Sequence, residues 1–287
     1  MATSAGFRPL FGWDNWPAIF EWGSVALAVG FWAVFIRASR RSGRLHPGLL
    51  LTIALTGVGL LDPLANWSCY CVYDPRLLHF PTSWPYVRLA PVVQPVVTLI
   101  AYPYYLLIPA LPAFWAWRTL ARRLPAGSVV NRHPLISLFA GGYAFGVVFD
   151  LVAQPLLFPS GVLVWTQIAG PALRAGHTTQ YPLLTTLIWP ILTAATTVFL
   201  WRDDNGRTVA ARLVARRDRS ARHPRLAEVA VTWAVLSVVY LVWIGAFGVV
   251  RASGAARTLA RPWPFPETEV FDPDGYYRRA GETSVAR

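Results

Sequence analysis

Four carboxylates, Glu21, Asp62, Asp150 and Glu228, fall inside or at the edge of long apolar stretches of the chain. A charge in hydrocarbon costs about 2.5–3.5 kcal/mol or more, so an acid kept there is a candidate for function by default. An acid holding its proton near neutral pH is what general acid catalysis requires. Asp150 is the strongest single candidate. It lies in GGYAFGVVFDLVAQP, where Tyr143, Gly146, Asp150 and Gln154 share one helical face at spacings of three and four. The competing reading is structural, because the glycines allow close helix approach and a packed hydrogen bond would hold the acid. Asp62 precedes Pro63 and has Asn66 four residues on. It is either a helix cap with Pro63 at the first helical position, or it stands with Asn66 at the mouth of a pocket. His79, His177 and Gln180 are polar groups that would assist such a site or simply bond at an interface.

The elements that must position these residues are membrane helices. A helix needs roughly 20 apolar residues to cross ~30 Å of hydrocarbon. Six stretches qualify, at 17–36, 48–66, 96–117, 134–154, 183–201 and 226–250. Every one of the 26 basic residues is arginine, and 16 of them lie in the connectors between spans one and two, three and four, and five and six. The positive-inside rule makes those connectors cytoplasmic and puts both termini on the non-cytoplasmic side of a multi-pass cell-membrane protein. Depth then sorts the acids. Glu21 is early in an inward-running helix and Asp62 late in an outward-running one; Asp150 is 16 residues past Pro134, about 24 Å at ~1.5 Å per residue. All three fall toward the outer half and are expected to share a pocket lined by Trp67 and by Tyr102 or Tyr105, whereas Glu228 sits near the inner surface.

The expected architecture is all-α: a six-span bundle over residues 17–250, an outer segment at 1–16 and an outer tail at 251–287. Composition agrees, with 55% hydrophobic and 14% charged residues. A net charge of +12 raises nucleic acid as a partner, but arginines that flank spans face anionic lipid instead. The expected partners are therefore the bilayer and a hydrophobic small molecule. The first residues lack the basic start and cleavage pattern of a signal peptide, so span one is expected to stay. Cys69 and Cys71 are too close to bridge easily and have no second pair for zinc, and no HExxH, GxSxG or Walker loop occurs. Neither metal nor cofactor is expected.

Other motifs read as architecture. His46-Pro47, His133-Pro134 and His223-Pro224 each open an even-numbered span, which suits helix starts better than a proton relay. Span three carries Pro103, Pro109 and Pro112, is expected to be broken, and by its freed carbonyls belongs beside a cavity. The segment between spans two and three, the segment between spans four and five, and the tail are rich in Pro, Trp and Tyr, and are expected to form ordered outer elements. RDDNGRT at 202–208 has the adjacent acids of a metal motif but an Asn-Gly turn signal, and reads as a loop.

The ordered set DPLANW, HFPTSWP, YPYYLLIPAL, the Phe149-Asp150 pair, QYPLL, RDDNGRT and the tail PWPFPE with FDPDGYYRRAG resembles the AveC family of actinobacterial integral membrane spirocyclases. The resemblance covers about three quarters of the chain. It implies closure of a dihydroxyketone polyketide to a spiroketal, with dehydratase activity in some members. Asp150 and Asp62 fall within the family's motifs and, with Glu21 at similar depth, are the candidate catalytic acids. By their positions near these acids, Asn66, Trp67, Tyr102, Tyr105, Tyr143, Gln154, His177 and Gln180 are the candidate substrate contacts. Two positions depart from the family pattern, where acids are replaced by Gln154 and by Thr185-Thr186. A steroid or other lipid substrate, a non-catalytic lipid-binding accessory protein and a small transporter are the alternatives; the clustering of acids on one side of the midplane argues against a transport path.

Overall fold

The structure is a computed structural model and describes residues 15–261 apart from 82, 88–92, 158–160 and 216–222. The N-terminal segment to residue 14 and most of the expected tail, 262–287, lie outside the described residues.

Among the described residues, five helical stretches are long and apolar enough to cross a membrane: Trp16–Ser42, Pro47–Cys69, Val97–Arg123, Pro134–Leu156 and Pro224–Ala252. The first is helix α1. The second joins α2 (Pro47–Val58) to α3 (Asp62–Cys69) through a 3-10 turn at Gly59–Leu61. Helix α4 is Val97–Arg123, a short α5 is Val129–Arg132, and α6 is Pro134–Leu157. The fifth expected span is shorter than anticipated. It forms α7 (Leu183–Ile188) and α8 (Pro190–Phe199), an apolar stretch running Leu183–Phe199. It begins at Leu183, as expected, and ends two residues early, at Phe199, beyond which Arg202 bridges to Thr208 across the RDDNGRT turn. After α9 (Val209–Ala215), α10 (Pro224–Ala252) completes the bundle. The all-α polytopic architecture is thus as expected, with five full-length helices and one short one.

The expected break in α4 is not found. The helix runs through Pro103, Pro109 and Pro112, which leave the carbonyls four residues earlier without intrahelical donors. At the arginine-rich end the connectors interlock. Arg202 Nη2 donates to the Leu45 carbonyl at 3.0 Å, and Thr208 donates to Glu228 Oε2 at 2.9 Å. His46, with Pro47 in the first turn, caps α2 by accepting from the Gly48 amide at 3.1 Å. RDDNGRT is a turn in which Asp203 Oδ1 accepts from the amides of Asn205 and Arg207 at 3.0 and 2.8 Å. Helices α6 and α8 meet where Gly142 and Gly146 take the place of side chains: a Cβ on Gly142 would stand 2.6 Å from Thr197 Oγ1 and 2.9 Å from Ala194 Cα.

The opposite end carries three small antiparallel ribbons. β1 (Cys71–Tyr73) pairs with β2 (Leu163–Trp165), β3 (Gln167–Ile168) with β6 (Thr258–Leu259), and β4 (Ala172–Leu173) with β5 (Tyr181–Pro182). They tie the segment after α3, the segment after α6 and the start of the tail into one cap. Tyr70, in a left-handed conformation at φ 58°, turns the chain from α3 into β1. Arg251 of α10 fastens that turn, with its guanidinium 4.6 Å from the Trp67 ring and 4.3 Å from the Tyr70 ring.

Candidate active site

Beneath this cap lies a cavity of about 430 Å³, within the range of small-molecule sites. Its walls come from α1, α3, α4, α6, α7, Trp189 at the α7–α8 junction and α10, and its roof from β1 and β2. Most of the lining is apolar or aromatic. The rings of Trp189, Tyr240 and Trp243 pack edge-on or stacked at centroid separations of 5.5 to 5.7 Å.

The polar groups converge on Asp62, which is 3% exposed. Asp62 is not a helix cap. It occupies the first turn of α3 with helical backbone, because the chain passes from α2 through the 3-10 turn without leaving the helical region. That continuity puts Asn66 one turn on, on the same face. Asn66 Nδ2 and Gln94 Nε2 donate to Asp62 Oδ2 at 2.9 and 2.7 Å. Gln94 is fixed in turn by Asn66 at 3.1 Å and Thr98 at 2.9 Å. The other oxygen, Oδ1, accepts from the Tyr102 hydroxyl at 2.6 Å, and that hydroxyl also meets the hydroxyl of Tyr240. Three elements far apart in sequence therefore form one continuous chain of polar atoms: Asp62, Tyr102, Tyr240. Tyr73 lines the same cavity; burial first, then the Asp62 charge, pushes its hydroxyl well above the ordinary tyrosine range, so it remains a donor.

Asp150 stands elsewhere. It is fully buried but does not line the cavity; its Oδ2 accepts from the Tyr181 hydroxyl, which also bonds Thr186 Oγ1 at 3.1 Å. Burial and then the Asp150 charge push the Tyr181 hydroxyl up. Four residues on, Gln154 does reach the cavity and donates to the Tyr105 hydroxyl at 2.5 Å. Glu21 also lies outside the lining, where its Oε1 accepts from the Leu78 amide at 2.5 Å.

Of the other sequence candidates, Asn66, Tyr102, Tyr105 and Gln154 line the cavity. Trp67 does not; it is 37% exposed and gives its carbonyl and ring to Arg251. Tyr143 donates to the Leu187 carbonyl at 2.8 Å, bracing α6 against α7. His177 bonds Thr179 at 3.0 Å within the cap. Gln180 is fully buried, donating to the Trp165 carbonyl at 2.8 Å and accepting from the Gly176 amide at 2.9 Å.

Sequence reasoning missed Gln94, Thr98 and Tyr240. Gln94 had no visible signal, since it lies between prolines outside any span. Tyr240 had one: it is the single tyrosine of α10, the most hydropathic of the five long helices. A buried tyrosine in such a helix needs a partner for its hydroxyl. The cysteines, read as incidental, line the cavity as free buried thiols, and burial pushes the Cys71 thiol well above its ordinary range.

The fold and cavity define a polytopic helical membrane protein with a largely apolar pocket ending in a hydrogen-bonded carboxylate. The sequence model of the AveC-like spirocyclase family matches residues 39–271, and the chain belongs to that family. The match takes in every polar residue of the Asp62 cluster, and membership points to a cyclase. No curated protein and no solved structure matches the chain.

Proposed function

We propose that this protein is a membrane cyclase that closes a hydrophobic dihydroxyketone to a spiroketal, with Asp62, Tyr102 and Tyr240 handling the proton. The observation that carries this reading is the Asp62–Tyr102–Tyr240 chain at the polar end of an otherwise apolar cavity.

One substrate hydroxyl adds to the ketone to give a hemiketal. The hemiketal hydroxyl takes a proton and leaves as water, forming an oxocarbenium ion. The second hydroxyl adds to that carbon and gives up its proton, so the products are the spiroketal and one water and the protein is regenerated. A chain of hydroxyls serves both proton steps. With Asp62 protonated, Asp62 donates to Tyr102, Tyr102 to Tyr240, and Tyr240 to the leaving oxygen. With Asp62 ionised every bond reverses and the second hydroxyl's proton returns along the same path. Asn66 and Gln94 occupy Oδ2 and leave Oδ1 facing Tyr102, fixing which oxygen takes part. The cationic intermediate is stabilised by the Asp62 carboxylate and by the faces of Trp189, Trp243 and Tyr240. The pocket supplies the orientation that makes both ring closures intramolecular encounters of aligned groups.

In this reading Asp150 and Gln154 hold the wall that presents Tyr105, and Glu21 ties α1 to the cap. The arginine-rich connectors support a cytoplasmic placement of that end, which leaves the cavity near the outer half of a cell membrane. The test is reconstitution of purified protein in lipid nanodiscs with a long-chain dihydroxyketone, following the spiroketal by mass and by loss of one water. Formation of a single stereoisomer at a rate above that of the lipid alone is expected. A racemic product at the background rate in the presence of bound substrate would make the protein a lipid-binding protein instead.

A further inference from the structure

The lining of the cavity is sorted by polarity. Asp62, Asn66, Thr98, Tyr102 and Tyr240 are all buried, whereas Ile19 and Leu27 of α1, which complete the wall, are 47% and 46% exposed. Ile19, Gly23 and Leu27 repeat at intervals of four and so make one stripe of the helix. That stripe belongs simultaneously to the cavity and to the outside of the bundle. Because α1 has the length and apolarity of a membrane span, what covers its exposed face is hydrocarbon.

Helix α1 is also the most loosely held of the long helices. Only 17% of its apolar window is buried, against 61% for the span that follows it. Toward the arginine-rich end it is keyed in, since Phe35 fills the notch at Gly48, where an added Cβ would lie 2.3 Å from the ring. Toward the cap it is held by Tyr104, which donates to Ser24 at 2.8 Å, by the Leu78 amide, which donates to Glu21 at 2.5 Å, and by Trp16, buried against Leu77 and Val162. At Gly23, beside Ser24, and at Gly30, between Ser24 and Phe35, an added Cβ would meet nothing within 4 Å.

We propose that the cavity is entered from within the bilayer, past the Ile19–Gly23–Leu27 stripe of α1, and that its ligand is a membrane-dissolved amphiphile with one oxygenated end and a long apolar remainder. The oxygenated end goes in first, to Asp62 and the tyrosines, because burying it elsewhere in this lining would cost unmade hydrogen bonds. The apolar remainder lies along α1 and extends into the surrounding lipid. This rests on the reading of the cavity as a substrate site, but it predicts a route that is measurable without turnover.

The experiment uses the full chain reconstituted in phosphatidylcholine vesicles and a long-chain hydroxyketone carrying an aliphatic diazirine next to its oxygenated end. On illumination, adducts are expected on cavity residues such as Ala65, Tyr102 and Tyr240. Gly23→Phe, which projects a ring into the open space of the stripe, should reduce those adducts severalfold. Gly30→Phe, the same change on the same helix outside the lining, should leave them unchanged. Unchanged cavity adducts in Gly23→Phe would overturn the route, as would equal cavity labelling of the native protein by a membrane-excluded sulfonated form of the probe. Cavity adducts blocked by Gly23→Phe in a protein that makes no spiroketal would uphold the route and sink the catalytic reading alone.

Discussion

Tyr102 and Tyr240, 138 positions apart, bring their hydroxyls into contact at the buried end of the cavity, and Tyr102 simultaneously donates to Asp62 at 2.6 Å. The contact joins α4 to α10 at a polar corner of a lining otherwise mostly aromatic and aliphatic, and buried polar groups of this kind are costly unless each finds a partner.

Tyr240→Phe removes the last hydroxyl of the chain while keeping the ring. Turnover of a dihydroxyketone is expected to fall by about 10²–10⁴, the usual worth of a positioned proton donor. Because the Phe ring preserves the packing with Trp189 and Trp243, substrate binding measured by displacement of a lipid probe should stay within a few-fold. Equal loss of binding and turnover would assign Tyr240 to shape alone.

How much of this was legible in the sequence depended on distance along the chain. The spans, the arginine-bearing connectors and the Asp62–Asn66 pair at helical spacing rest on local pattern, and the fold follows it. The partners of the acids do not. Gln94 and Tyr102 reach Asp62 from α4 and the segment before it, and Tyr181 reaches Asp150 from a strand 31 positions away. Local spacing put Asp150 on a face with Tyr143 and Gln154, yet that face divides: Tyr143 braces α7, Gln154 reaches the cavity, and Asp150 turns to Tyr181. The fifth span starts where the sequence put it, at Leu183, but closes at Phe199, because Arg202 pairs with Thr208 across the following turn, a contact that local hydropathy does not show.

Packing of α6 on α8 supplies a stability test. Gly142→Val would drive a side chain into Thr197 and the Ala194 backbone, and overpacking of this kind costs about 1–3 kcal/mol. Gly141→Ala, where an added Cβ meets nothing within 4 Å, should be neutral or slightly stabilising. Thermal melting in detergent distinguishes them; equal melting temperatures would mean the helices are not so closely apposed.

His46 gives a pH dependence at the arginine-rich end. Burial, then the charge of Arg202, holds its pKa below the ordinary value of 6.5. The folded protein thus takes up this proton less readily than the unfolded chain, so stability is intact above 6.5 and is lost as pH falls through the lowered folded value. Protonation also removes the acceptor that caps α2. His46→Asn keeps a capping group without the titration and should lose less melting temperature between neutral and acidic pH than the native protein. Parallel curves would remove His46 from the account.

Orientation is testable with single cysteines at exposed positions. Asn205→Cys in the turn between α8 and α9 should resist a membrane-impermeant maleimide in intact cells, while Ser253→Cys at the end of α10 should react. The native thiols are both buried and should contribute little. The reverse pattern would put the cavity at the cytoplasmic side.

The most direct test compares Asp62→Asn with Asp150→Asn in the nanodisc cyclisation assay. Each amide preserves shape, but only at Asp62 does it interrupt a proton path open to the cavity. Asp62→Asn is expected to lose about 10²–10⁴ in rate, whereas Asp150→Asn, behind the wall with Tyr181, should stay within a few-fold of the native protein once folded. Parental turnover by Asp62→Asn, or a loss at Asp150→Asn as large as that at Asp62→Asn, would contradict the assignment of the proton chemistry to Asp62.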